Sequence, residues 1–200
     1  MIRHTQKTPA YACGFTLIEL LATLAVMGIV LSIGIPSYHE LIRSNRLTTQ
    51  INEFSSSLNL ARSEAIRRGI RVTVRKHGDE WESGWQIFTD LSNNGLFDES
   101  SGDELLRQHD ALAGGYTLRG NHNFVNFVSF LPDGSSNNMG AFALCDNSDD
   151  SYIPHPGASK LIIINNIGRT RIGADSNGNG IPEKETSNGN ATDISSCASP

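Results

Sequence analysis

Between Phe15 and Ile35 the chain reads FTLIELLATLAVMGIVLSIGI, 21 residues with a single ionisable side chain, Glu19. Coiled at about 1.5 Å per residue, such a run spans about 32 Å, against a hydrocarbon core of about 30 Å. Arg3, His4 and Lys7 precede it. Positive charge on that flank favours a cytoplasmic N-terminus and sends the remainder of the chain to the other side of the membrane. A cleaved secretory signal gives the same orientation. Its apolar stretch is usually about 7 to 15 residues and ends at a small-residue cleavage site. Here Ile33, Gly34, Ile35 and Pro36 follow without that pattern, so a retained anchor is expected.

Glu19 is the anomaly in the run. An ionised carboxylate in hydrocarbon costs several kcal/mol, so it either snorkels toward headgroups from near the helix end or needs a cation beside it. Pro36 lacks an N–H and its ring crowds the preceding turn. It therefore predicts a kink or a local melting, or else marks the end of a transmembrane helix. Beyond it Leu47, Ile51, Phe54, Leu58, Ala61 and Ala65 recur at alternating spacings of four and three, with Arg43, Arg46, Asn52, Glu53, Asn59, Arg62 and Glu64 on other faces. That is one amphipathic helix. Arg67 and Arg68 suit the negative end of its dipole and Gly69 suits a left-handed C-cap, so a helix over about residues 15–68 is expected.

After Gly69 the helical period stops. Short β-rich runs follow at 70–75, 85–89, 104–108, 116–119, 124–131, 141–145 and 160–165, separated by Gly, Asn, Asp and Ser. Helix first and strands afterwards predicts an α+β fold, with antiparallel sheet laid on a long N-terminal helix. In the 124–131 run either Phe124, Val128 and Phe130 or Val125 and Phe127 face the core, a choice that register decides.

Charge is segregated. Residues 1–76 carry a net +6 and residues 77–200 a net −11. A second half this acidic excludes a general polyanion-binding surface, so any contact with nucleic acid has to be local. The strongest local feature is Gly168-Arg169-Thr170-Arg171. Arginines two apart in an extended segment project to one side and can grip successive phosphates. The six histidines show no metal-ligand spacing, and neither a nucleophile elbow nor a phosphate-binding glycine loop occurs. No enzyme is expected. Two loops imitate calcium sites: Asp90–Asp98, and Asp175–Glu183, whose Asp175, Asn177 and Asn179 alternate ahead of a glycine, with Glu183 a further oxygen donor. Neither has a Glu at the twelfth position, and Asn/Gly-rich turns between strands look the same.

The string Gly14-Phe15-Thr16-Leu17-Ile18-Glu19 resembles the class III signal of type IV pilins and pseudopilins. SLNLARSEAIRRGIRVTV (57–74), GWQIFTD (84–90), ELLR (104–107), FALCD (142–146) and NNIGRTR (165–171) resemble, in that order, the GspH/FimT family of minor pilins and minor pseudopilins. The resemblance implies a pilin-like fold, cleavage by prepilin peptidase between Gly14 and Phe15, methylation of the new N-terminus, and a retained anchor in the inner membrane. It also implies that Glu19 neutralises the N-terminal amine of a neighbouring subunit, and Pro36 matches a proline common in pilin helices.

The organisation implied is a leader (1–14), a membrane and filament-core helix (15–36), a periplasmic domain (37–172) and a Gly/Asn/Asp-rich tail (173–200). With Cys13 removed in the leader, Cys145 and Cys197 remain for one disulfide. FimT-like proteins of transformable bacteria use a GRxR motif in DNA uptake. Carried over, this names Gly168, Arg169 and Arg171, with Arg119 and Lys160 as neighbours. The implied partners are other minor pilins or pseudopilins, prepilin peptidase, the membrane and double-stranded DNA. The alternatives are a type II secretion pseudopilin, a pilus-assembly primer that does not touch DNA, and a calcium-dependent adhesion module. The tail beyond the GRTR motif departs from the family pattern, as does Arg75 or Lys76 where some relatives carry a first cysteine.

Overall fold

The computed structural model describes residues 15–185 and 191–200. By its internal contacts the chain divides into Met1–Ile42 and Arg43–Pro200. Helix α1 (Leu17–Arg68) supplies the described part of the first unit and opens the second. The hydroxyl of Thr16, just ahead of it, accepts the N–H of Glu19 at 3.3 Å. This is half of a Thr-x-x-Glu capping box, and it sets the Glu19 carboxylate in the first turn, where the helix dipole favours negative charge. The helix runs on through Pro36. The proline removes one N–H from the ladder, yet the helix neither ends nor melts there.

In the first unit the apolar side chains stand open, with Phe15 84% and Ile33 70% exposed. Among the described residues this is the one helix long and apolar enough to cross a membrane. So much contiguous apolar surface marks a membrane or protein contact.

The second unit is built on the other half of α1. Leu47, Ile51, Phe54, Leu58, Ala61 and Ala65 are each at most 1% exposed, so the four-three spacing is the buried stripe of the helix. The strands that pack on this stripe form two antiparallel sheets. The first has the order β3 (Leu105–His109), β2 (Trp85–Thr89), β1 (Val72–Lys76), β5 (Phe127–Phe130). The second has the order β4 (Tyr116–Gly120), β6 (Gly140–Asp146), β7 (Ser159–Ile164), β8 (Thr170–Ile172). Phe54 is the hub of the core, meeting Trp81, Trp85 and Phe142 edge-to-face at centroid distances of 5.6, 5.0 and 4.8 Å. Burial of Phe124, Val128 and Phe130, with Val125 48% exposed, decides the register left open by the sequence. Phe124 itself lies in a 3-10 turn (His122–Phe124) and not in the expected strand. Its carbonyl accepts the indole N–H of Trp81 at 2.9 Å.

β6 and β7 bury both faces. Phe142, Leu144, Ile162 and Ile164 join the core under the helix. Ala141, Ala143, Cys145 and Leu161 form a second apolar cluster on the opposite face, and Ile194 and Cys197 complete it. The described residues of the 173–200 segment therefore return across the outside of the second sheet, where Ile194 and Cys197 pack. They contribute a two-stranded ribbon of β9 (Glu183–Glu185) and β10 (Ala191–Asp193).

Candidate functional site

The GRTR segment closes the hairpin between β7 and β8. Gly168 N–H donates to the Asn165 carbonyl at 2.9 Å, and the Asn165 side-chain oxygen accepts the Arg169 N–H at 2.9 Å. Gly168 has φ +73°, and a side chain there would collide with the carbonyl of Gly134 in the β5–β6 turn. Only glycine satisfies both the left-handed backbone and this close approach. Arg169 and Arg171 follow it, both exposed. With Ile163 and Asn165 they line a shallow groove of about 260 Å³.

What holds this groove in place is a residue that the helical spacing set only on a face other than the apolar stripe. Arg62, half-buried on α1, donates from Nε to the Gly134 carbonyl at 2.8 Å and from Nη2 to the Ile167 carbonyl at 3.1 Å. One guanidinium fork thereby ties two turns, 72 and 105 residues distant in sequence, to the helix. Thr170 adds a bond from its hydroxyl to Asn59 at 2.9 Å, and Ser136 N–H reaches the Asn166 carbonyl at 3.1 Å. In the sequence the available signal was an arginine one helical turn from Asn59, together with glycines in two later turns.

The expected neighbours Arg119 and Lys160 do not join Arg169 and Arg171. Arg119 lies on β4, the opposite edge of the sheet from β8, about 14 Å away at three strand spacings. Its guanidinium pairs with Glu82 and stands over the Tyr152 ring. Lys160 shares the register position of Leu144, and strand alternation puts it on the face opposite Leu161 and Arg171. Period two gives adjacent residues opposite faces, and strand order is not written in the local sequence.

Cys145 and Cys197 form a disulfide, with Cα atoms 6.1 Å apart and a sequence separation of 52. Glu19 and Pro36 lie on the exposed stretch of α1 and Phe15 just ahead of it, while Gly14 and Cys13 fall outside the described residues. Of the two calcium-like loops, the first is closed by its own chain. Asp90 is fully buried and accepts from the Thr73 hydroxyl and the N–H groups of Asn94 and Gly95, with Arg71 beside it at 3.3 Å. In the second loop Asp175 likewise accepts N–H groups from Gly178, Asn179 and Gly180.

Comparison with known proteins gives three findings. The family described as "Type II transport protein GspH" matches residues 50–168, and the "Prokaryotic N-terminal methylation motif" matches residues 10–35. A fimbrial protein of Pseudomonas aeruginosa is 39% identical over 84 residues, covering 41% of this chain and 54% of the relative. The chain thus spans about half the length of the curated relatives it matches. The crystal structure of the type IV minor pilin FimU of Pseudomonas aeruginosa superposes with a TM-score of 0.53 at 23% identity, covering 65% of this chain and 90% of that one. That likeness is one of fold: a long N-terminal helix packed on antiparallel sheets.

Proposed function

Because the chain belongs to the GspH family, we propose that it is a minor pilin of a type IV pilus and that its Arg169–Arg171 turn takes hold of DNA at the filament surface. As a pilin or pseudopilin anchored by its apolar N-terminal helix it has no reaction to perform. Its work is to be inserted, processed, assembled and displayed. Prepilin peptidase cuts between Gly14 and Phe15, and the helix stays in the inner membrane with the domain on the periplasmic side. The exposed apolar stretch then packs against other minor pilins. Inside that low-dielectric packing the Glu19 carboxylate meets a neighbouring subunit's N-terminal amine.

The observation that carries the DNA reading is the braced hairpin. Arg62 fixes the turn from below, and Arg169 and Arg171 line one groove on its outside. Two arginines on one braced turn suit adjacent phosphates of a backbone and carry no sequence preference. The acidic remainder of the domain confines contact to this spot.

The test is fluorescence anisotropy of a double-stranded DNA probe against the full chain in detergent micelles across a salt series. The wild type binds with a salt-dependent affinity, and Arg169→Ala/Arg171→Ala lowers the slope of log K against log salt by about one to two. Arg107→Ala, which removes an exposed arginine of β3 in the other sheet, leaves that slope unchanged. Absence of binding at low salt rejects the DNA role and leaves a structural minor pilin or a secretion pseudopilin. Loss of protein secretion with intact pili, in cells lacking the chain, identifies the latter.

A further inference from the structure

The β7–β8 turn holds out a side chain that a grip by two arginines does not use. Gly168 N–H bonds the Asn165 carbonyl at 2.9 Å, and Asn165 N–H bonds the Arg169 carbonyl at 3.3 Å. With Gly168 left-handed, this is the hairpin connection in which a tight turn closes on a glycine bulge. Asn166 and Ile167 are therefore its tip. Asparagine suits such a position, whereas isoleucine neither favours a turn nor gains burial in one. Ile167 is 64% exposed, the most open large apolar side chain among the described residues of the second unit.

The backbone at this tip is where the rest of the domain takes hold. Arg62 donates to the carbonyl of Ile167 itself, and Ser136 N–H donates to that of Asn166. An apolar side chain open to water on a backbone fixed beforehand enters a partner at a low ordering cost. Charge selects the partner. From Leu161 to Ala174 the chain has two arginines and no acidic residue, in an acidic half of the protein. Both arginines line one groove with Asn165, so a polyanion is drawn to the side of the tip.

We infer that Ile167 is a wedge: with Arg169 and Arg171 on the phosphates, it enters a base step of duplex DNA from the minor groove and partly unstacks it. This rests on the DNA reading above and adds how the turn sits on the duplex. Proteins that kink DNA from the minor groove combine cationic and amide side chains with one inserted apolar side chain, isoleucine among them. Asn165 and Asn166 are both exposed. Their amides can donate to the adenine N3 and thymine O2 acceptors on the groove floor. That groove, about 6 Å wide, admits a narrow tip, whereas the major groove suits a whole helix or ribbon. The phosphate contacts carry no sequence preference. The wedge adds one, for pyrimidine–purine steps such as T-A that unstack most easily.

The test puts 2-aminopurine, whose fluorescence is quenched by stacking, at the T-A steps of a short A·T-rich duplex. The full chain in detergent micelles is titrated into it at low salt, and anisotropy of the same duplex reports binding. The wild type binds and the aminopurine fluorescence rises. Ile167→Ser places at the tip a residue that turns accept readily. It still binds, with the wild-type salt slope, but loses the rise, and Ile167→Leu keeps it. Binding by the wild type without a rise overturns the wedge and leaves the arginine grip standing, as does a rise that survives in Ile167→Ser. Absence of binding by the wild type rejects both.

Discussion

Arg62 on the helix donates its Nε hydrogen to the carbonyl of Gly134 at 2.8 Å, and the same side chain holds Ile167 through Nη2. The β5–β6 and β7–β8 turns are joined by backbone contact at Gly134 and Gly168, so the guanidinium fastens a unit and not two separate loops. Arg62→Ala is expected to cost about 1 to 3 kcal/mol, the scale of charge-assisted bonds to otherwise unsatisfied carbonyls. Arg62→Lys recovers little of this, because an ammonium cannot span both oxygens with a rigid fork. Urea unfolding measures the loss. Faster exchange of the Gly168 and Ser136 amides locates it in the two turns.

Acid should act on the domain in two stages. His109 stacks on Trp85 at 4.8 Å, and its Nε2 lies 3.2 Å from the Ser57 hydroxyl oxygen. That hydroxyl donates to the Glu53 carbonyl and its oxygen accepts the Trp85 indole N–H, so Nε2 carries the hydrogen of a neutral ring. Burial, helped by the positive charge of Arg107, pushes the His109 imidazole below its ordinary value of 6.5, and the opposing pull of Glu53 and Asp110 does not cancel it. Between the lowered folded value and 6.5 the unfolded chain binds more protons. The His109 contribution is thus complete above 6.5 and lost as pH falls below it.

The second stage belongs to carboxylates. Burial alone would raise Asp146, but the bond from Arg43 and those from Ser148 outweigh it and hold the group below 3.8. Its stabilisation is present above 3.8 and disappears as pH falls through the folded value. Asp98, Asp133 and Asp149, bonded in local turns, are lowered too and share this window. His109→Gln should flatten the upper stage alone, and Asp146→Asn should diminish only the lower one. Urea midpoints measured from about pH 3 to 8 separate the two.

The helix and most of the sheets were legible because burial imposes a period on sequence. The stripe from Leu47 to Ala65 and the runs that became β1–β7 carry it plainly. β8, β9 and β10 are three residues each and bordered by Gly, Asn or Pro, too short for alternation to register. The GRTR arginines could be named from their spacing together with the resemblance to FimT-like proteins. Their support could not, since Arg62 reads as a polar helix face and its partners lie far along the chain. For the same reason Arg119, paired with Glu82 on the far edge, looked like a neighbour of Arg171.

Opening the Cys145–Cys197 bond frees a loop of 52 residues, which the chain-entropy relation values at about 4 kcal/mol. The cost is expected to fall on the outer cluster, since Ile194 and Cys197 are its only members from the returning segment that are fully buried among the described residues. Reduced wild type and the Cys145→Ser/Cys197→Ser variant should therefore unfold at similar urea concentrations, well below the oxidised protein. The variant should no longer respond to dithiothreitol.

Glu19 separates insertion from assembly. Its N–H is capped by Thr16 and its carboxylate lies in the first helical turn, so the helix gains a little from the charge whether or not a neighbour is present. A fraction of a kcal/mol of dipole interaction does not offset the several kcal/mol of placing an ionised group in hydrocarbon. An intersubunit amine does, if the proposed filament forms. Glu19→Ala is therefore expected to insert normally and to be cut after Gly14, with a mass beginning at Phe15, yet to be depleted about tenfold or more from sheared filaments, since a lost contact of about 1.4 kcal/mol is already tenfold. Glu19→Asp shortens the side chain by one methylene and should recover part of the incorporation. Gly14→Ala should instead leave an unprocessed 200-residue chain in the membrane. Equal incorporation of Glu19→Ala and wild type would reduce the carboxylate to a helix cap at the headgroup boundary.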